Sequence, residues 1–259
     1  FRPKIIAEIG INHNGSLDEA KKLAELAADS GADFIKSQFH IAKEEMSHSA
    51  KNVIPPHTNE SIYEIIDNCS LSIDEEYEYK LFIEELGIEY LCTPFSSKAA
   101  HLLGEMNVNA FKIGSGECNN YPLLKHIASF GKPIILSTGM NTITSVTKAV
   151  KIFEEFNISY ALLHTTNLYP TPFHLVRLGA MVELSEKFPN AVIGLSDHTV
   201  NNLACFGAVA LGASILERHF TDSMSRHGPD IVCSMDPASC KELVEGSKIL
   251  QLERGGVKG

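Results

Sequence analysis

Pro133-Ile134-Ile135-Leu136-Ser137-Thr138-Gly139 is the stretch that decides the fold. Its core is a short aliphatic run, as expected of a parallel strand buried on both faces. It then switches to hydroxyls and a glycine. The same switch recurs along the chain. Strand-like apolar runs at residues 5–9, 34–38, 89–93, 110–113, 133–138, 160–165, 191–196 and 214–219 each lead into hydrogen-bonding or charged residues. Amphipathic segments separate them, at 17–30, 72–86, 142–156, 173–188, 201–211 and 237–250. Ser72 followed by Glu75 makes a capping box at the start of the second of these. Eight strands alternating with helices in 259 residues predict an α/β protein, a (β/α)8 TIM barrel. A doubly wound open sheet is the main alternative. It is weakened because no GxGxxG follows the first strand.

Composition narrows the function. The net charge of −10 argues against a general nucleic-acid surface. It leaves room for a small anionic substrate held by a local cluster of lysines and N–H groups. No apolar run has the length of a membrane span, and no secretory signal pattern is read at the start. Six cysteines, none in a CxxC pair, read as reduced thiols of a cytoplasmic protein. Residues 40–68 form a connection longer than the rest, which suggests a lid or insertion on the catalytic face. The barrel is expected to span 1–252, with 253–259 opening a flexible tether.

In a barrel, the C-terminal strand ends build the active site. Here they carry Glu8, Lys36, Gln38, Thr93, Lys112, Ser137, Asn167, Ser196, His198 and His219. Ser96, Thr142 and Thr199 read equally well as helix caps. A lysine inside a buried strand needs an anion. Lys36 and Lys112, with Gly114-Ser115-Gly116 and Ser137-Thr138-Gly139, therefore suggest a phosphate and carboxylate cradle. A Schiff-base lysine is the rival explanation, and a non-enzymatic sugar-phosphate-binding barrel is a third. Strands 7 and 8 end in His198 and His219. Adjacent strands lie about 4.8 Å apart, so both rings can reach one divalent cation, with Glu8 next around the barrel. His13 and His57 lie on catalytic-face loops.

Several runs resemble the bacterial N-acetylneuraminate (sialic acid) synthases over almost the whole chain. They are Ala7-Glu8-Ile9-Gly10-Ile11-Asn12-His13, Lys112-Ile113-Gly114-Ser115-Gly116-Glu117-Cys118-Asn119-Asn120, Leu136-Ser137-Thr138-Gly139-Met140, Tyr169-Pro170, Gly194-Leu195-Ser196-Asp197-His198 and Leu216-Glu217-Arg218-His219-Phe220-Thr221. Legionaminic and pseudaminic acid synthases belong to the same superfamily. The resemblance implies condensation of phosphoenolpyruvate with N-acetylmannosamine to give sialic acid and phosphate. It implies Mn²⁺, or another divalent cation such as Mg²⁺, on His198 and His219. Lys36, Lys112, Ser115, Ser137, Asn167 and Ser196 are then expected to hold phosphoenolpyruvate. Gln38, His57, Thr93, Tyr169 and Asp230 are expected to face the sugar, and Glu8, His198 and His219 to be catalytic. His57 stands where the bacterial enzymes have Asn. Family members also carry an antifreeze-like C-terminal domain that reaches over the partner's site in a homodimer. The tether at 253–259 is expected to end the barrel without that domain, and the barrel alone is expected to bind the sugar poorly.

Overall fold

The computed structural model describes residues 2–55 and 59–255. Its strands are β1 (Lys4–Gly10), β2 (Phe34–Phe39), β3 (Glu89–Pro94), β4 (Phe111–Ile113), β5 (Ile134–Ser137), β6 (Tyr160–Thr165), β7 (Val192–Asp197) and β8 (Ile215–His219). They pair in parallel, in chain order, and β8 closes on β1. This is a (β/α)8 TIM barrel. Its helices are α1 (Leu17–Asp29), α2 (Ala42–Glu45), α3 (Ile62–Cys69), α4 (Ile73–Glu85), α5 (Ser97–Glu105), α6 (Tyr121–Ala128), α7 (Ile143–Glu155), α8 (Gly179–Lys187), α9 (Leu203–Ala210) and α10 (Pro237–Arg254). Among the described residues no helix is long and apolar enough to cross a membrane.

Successive strand residues face opposite sides of the sheet. One set, including Ile5, Ala7, Ile9, Ile35, Leu136 and Leu216, packs outward against the helices in the larger core. The other set fills the barrel with Ile6, Leu91, Ile135, Ala161 and Leu163, backed by Phe34, Ala110 and Ile215. Two residues further along the same strands, the inward positions become Glu8, Lys36, Thr93, Lys112, Ser137, Thr165 and Glu217. The polar site is thus the upper storey of an apolar barrel, and strand alternation selects which side chains reach it. Strand β1 also breaks register against β2 between Glu8 and Gly10, a local bulge beside the site.

Several expected elements are adjusted. The long connection after β2 is not one loop but carries α2, a 3-10 turn at His48–Asn52 and α3. Ser61 and Glu64 cap α3 reciprocally, as Ser72 and Glu75 cap α4. The end of α3 sits against the β1–α1 loop. A side chain at Gly15 (φ 75) would lie 2.3 Å from the Asn68 carbonyl. The expected helix at 173–188 starts only at Gly179. The preceding chain forms a 3-10 turn, and Arg177 adopts φ 50, which a helix does not continue through. The last helix runs to Arg254, two residues past the expected barrel boundary, and ends at Gly255 (φ 59). Ser96 and Thr142 are helix caps. Thr199 instead bonds Asp197 and the Asn201 carbonyl.

Candidate active site

Strand ends β1 to β8 converge on a cavity of about 160 Å³. Glu8, Lys36, Gln38, Thr93, Lys112, Ser115, Ser137, Asn167, Tyr169, Ser196, His198 and His219 all line it, as does Glu217. Of the remaining expected site residues, Asp230 approaches from the side, with its Oδ2 3.7 Å from His219 Nδ1. His57 lies outside the described residues. His13 does not line this cavity. Its Nδ1 accepts a hydrogen bond from the Gly15 N–H at 3.1 Å, so it shapes the β1–α1 turn.

The electrostatic centre is a four-membered cluster of alternating charge. Lys36 Nζ lies 3.1 Å from Glu8 Oε2 and 2.9 Å from Glu217 Oε1. Lys112 Nζ lies 3.7 Å from the same Glu217 oxygen and donates to Ser137 Oγ at 2.8 Å. Ser196 Oγ also donates to Glu217 Oε1, at 3.2 Å. All four charged groups are buried. Removing one member of a buried pair costs roughly 3–5 kcal/mol, so two lysines are held here only because carboxylates face them.

The environments drive the four groups apart. Burial pushes the Glu8 carboxyl up, against the pull of Lys36, to about 7. Burial also acts to raise Glu217, but Lys112 and Lys36 outweigh it and hold the acid at about 2. Burial lowers Lys112 to about 8 in spite of Glu217. Lys36 is likewise penalised by burial, yet Glu217 and Glu8 together raise it above the ordinary lysine value. The cluster therefore pairs a firmly ionised anchor, Glu217, with a carboxyl that exchanges protons near neutrality, Glu8.

Hydroxyls and amides complete one wall. The Gly139 N–H donates to Ser115 Oγ at 3.0 Å. A β-carbon at Gly139 would lie 1.8 Å from Asn167 Oδ1, so glycine is needed for Asn167 to occupy its place. Buried side-chain atoms without a hydrogen-bond partner among the described residues include Thr93 Oγ1, Asn167 Oδ1, Glu217 Oε2 and His219 Nδ1. All four belong to cavity-lining residues. Buried polar atoms are rarely left unpaired, and such a concentration marks where a polar ligand is received.

His198 and His219 stand side by side, with ring centroids 5.6 Å apart. Tyr169 stacks on His198 at 4.1 Å and meets His219 edge-on at 5.8 Å. Burial, reinforced by His219, lowers His198 to about 4. Burial and Lys36 lower His219 to about 3. His198 Nδ1 is 2.9 Å from the Thr166 carbonyl, which only accepts, so the proton is on Nδ1 and Nε2 keeps its lone pair. Two neutral imidazoles, one with a free Nε2 and the other with an unpartnered Nδ1, fit the donor set of a divalent cation. Among the described residues no group of three or more His, Cys, Asp or Glu is arranged to hold a metal.

Behind the histidines, buried Arg218 ties their loops together. It donates to Asn202 Oδ1 and to the Thr199 carbonyl, both at 2.6 Å, and to the Cys233 carbonyl at 3.3 Å. Its Nε is 3.5 Å from Asp197. Glu217 is the site residue that sequence reasoning missed. Strand periodicity signals it, since Glu217 and His219 share one face of β8 while Arg218 takes the other.

A closed parallel barrel whose strand-end cavity pairs two buried lysines with two buried carboxylates, beside two neutral histidines, has the build of a small-molecule active site. Comparison with known proteins narrows it further. Residues 23–258 match the NeuB family, and the chain belongs to that family. It is 40% identical over 266 residues to an N,N'-diacetyllegionaminic acid synthase of Campylobacter jejuni, covering 98% of this chain and 78% of that one. It is 33% identical over 256 residues to the human N-acetylneuraminate-9-phosphate synthase, covering 97% and 71%. Among solved structures, the N-acetylneuraminic acid (sialic acid) synthetase of Leptospira borgpetersenii in complex with citrate superposes with a TM-score of 0.92. There the identity is 29%, and the alignment covers all of this chain and 87% of that one.

Proposed function

We propose that this protein is a phosphoenolpyruvate-dependent sugar-acid synthase. The observation that carries the reading is the pair of buried lysines, Lys36 and Lys112, lining the same cavity as His198 and His219. Phosphoenolpyruvate brings a phosphate and a carboxylate, and two lysines flanked by Ser115, Ser137 and Ser196 suit both groups.

The reaction begins when C3 of phosphoenolpyruvate bonds to the aldehyde carbon of the open-chain sugar. Water then adds to the cationic C2, and the C2–O bond to phosphate breaks to leave the ketone. Glu8, with a carboxyl near 7, moves protons at the aldehyde oxygen or the attacking water. Glu217 stays ionised and fixes both lysines. A divalent cation such as Mn²⁺ or Mg²⁺ would be held by His198 and His219 and would supply Lewis-acid polarisation of the aldehyde. Gln38, Thr93, Tyr169 and Asp230 are the side chains offered to the sugar.

Two acceptors compete within this class. N-acetylmannosamine would give N-acetylneuraminate, and a diacetamido-trideoxy hexose would give the legionaminic or pseudaminic type. Identities of 40% and 38% to the Campylobacter and Legionella N,N'-diacetyllegionaminic acid synthases support testing the diacetamido sugar alongside N-acetylmannosamine. The test is phosphate release from phosphoenolpyruvate by chelator-treated protein, with each acceptor, before and after adding Mn²⁺, alongside an electron paramagnetic resonance titration of Mn²⁺. Release that needs both an acceptor and the metal, with Mn²⁺ binding lost in His198→Ala, supports the reading. Reductive trapping of pyruvate on Lys36 or Lys112 by borohydride would replace it with Schiff-base chemistry.

A further inference from the structure

Glu8 is held on its far side by a chain of hydrogen bonds that leaves the cavity. Gln38 Nε2 donates to Glu8 Oε1 at 2.6 Å. The carbonyl end of the same amide, Oε1, is 3.0 Å from His40 Nε2. His40 Nδ1 is 2.8 Å from Glu45 Oε1, on α2 of the long connection, and Glu45 Oε2 accepts from the Ile41 N–H at 3.3 Å. The His40 ring is buried and lies flat on Phe95, with centroids 4.2 Å apart and planes 13° from parallel.

The polarity of this chain is set by its members. A carboxamide has a donor end and an acceptor end of nearly the same shape, so packing alone does not choose between them. An amide carbonyl can only accept, so His40 Nε2 must carry a proton toward Gln38. On its other side, His40 Nδ1 faces the Glu45 carboxyl. With its carbonyl engaged by His40, Gln38 has only its amino end to offer Glu8. Without the histidine the carbonyl end of Gln38 loses its donor, and the amide is held in this orientation from the Glu8 side alone. We infer that His40 is a positioning residue for Glu8, acting through the amide of Gln38 and locked by Glu45 and Phe95. The inference rests on the reading of Glu8 as the proton-handling group. It makes the connection after β2 a support for the reacting carboxyl.

The sequence makes a direct test accessible. Wild type contains only two glutamines, Gln38 and Gln251, so selective ¹⁵N-glutamine labelling yields two side-chain amide signals, assigned with Gln251→Ala, and the third signal that His40→Gln adds is told apart by Gln38→Leu in that background. Four proteins are compared, namely wild type, His40→Phe (which keeps the ring stack), His40→Gln (which keeps a donor) and Gln38→Leu. The inference expects the Gln38 amide protons to be well separated and slow to exchange, to lose both properties in His40→Phe and to regain them in His40→Gln. In turnover, His40→Phe should lower kcat about 10–100-fold with the KM for phosphoenolpyruvate nearly unchanged, the scale of a hydrogen bond to a charged group. In the Gln38→Leu background the same change should cost less than about 2-fold, because its route to Glu8 is already gone. An unaltered Gln38 amide signal in His40→Phe, or an equal loss of kcat in both backgrounds, would overturn the inference. If wild type releases no phosphate with either acceptor, the functional reading fails, and the amide signals still decide whether His40 orients Gln38.

Discussion

Gly139 and Asn167 illustrate how closely single residues set this site. Adding one carbon at Gly139 places it 1.8 Å from Asn167 Oδ1 and 2.9 Å from both Ser115 Oγ and the Thr165 carbonyl. Asn167 is the free end of a side chain and can swing away, whereas the carbonyl can move only slightly. Gly139→Ala is therefore expected to cost about 1–3 kcal/mol of stability, the usual range for overpacking. It should raise the KM for phosphoenolpyruvate at least about 10-fold, the equivalent of one lost hydrogen bond. Denaturant unfolding and steady-state kinetics on the same preparation separate the two effects. A large stability loss with unchanged KM would show that Asn167 is not displaced from the anion. At this scale the sequence was informative wherever a residue type is costly to bury. Lys36 and Lys112 stand out in apolar strands, and both prove to be buried in the cavity wall. Glu217 did not stand out, because a carboxylate near a strand end is ordinary until its two lysine partners, far away in sequence, are brought to it.

At the level of elements, the connection after β2 departs most from its expected form. A long polar segment read as a lid contains two short helices, and α3 depends on its cap. Ser61 Oγ accepts from the Glu64 N–H at 3.2 Å, and Glu64 Oε2 accepts from the Ser61 N–H at 2.8 Å. Ser61→Ala should destabilise α3 by about 1 kcal/mol. Faster hydrogen exchange should appear in α3 and not in the barrel strands, since local openings are independent of the global one. Protection lost equally in β1 and β2 would mean that the connection unfolds only with the barrel. Such short helices were hard to read because one or two turns give too few residues for a 3.6-residue period to show. The strands were easier. Each is a short apolar run between polar ends, and their observed bounds shift by at most a residue at either side, as β6 and β8 show.

Across the whole molecule, buried neutral histidines make stability sensitive to acid. Burial lowers His13 from 6.5 to about 4, and its Nδ1 must stay unprotonated to accept from Gly15. Below pH 6.5 the unfolded chain takes up this proton first. The His13 contribution is thus complete above 6.5 and is lost as pH falls toward 4, by about 3 kcal/mol in all. His164, also lowered by burial, acts in the same direction. Urea unfolding between pH 7 and 4 should show a steep decline in wild type and a shallower one in His13→Asn. Parallel declines would remove His13 from this role. The barrel itself was legible because eight repeats of one pattern reinforce one another. The placement of loop residues around the cavity was less legible, because no local pattern fixes loop geometry. Tyr169 reaches the cavity by stacking on His198, while Asp230 stops beside His219.

The reading of the site as one that joins phosphoenolpyruvate to a sugar makes a definite statement about which bond to phosphate breaks. Phosphoenolpyruvate carrying ¹⁸O in the bridging C2–O–P position, incubated with protein, divalent metal and an N-acetylated amino-sugar acceptor, tests it by ³¹P NMR of the released phosphate. We predict that the phosphate carries the label and appears only when the acceptor is present. Unlabelled phosphate, with the ¹⁸O kept in the organic product, or release that is indifferent to the acceptor, would contradict it.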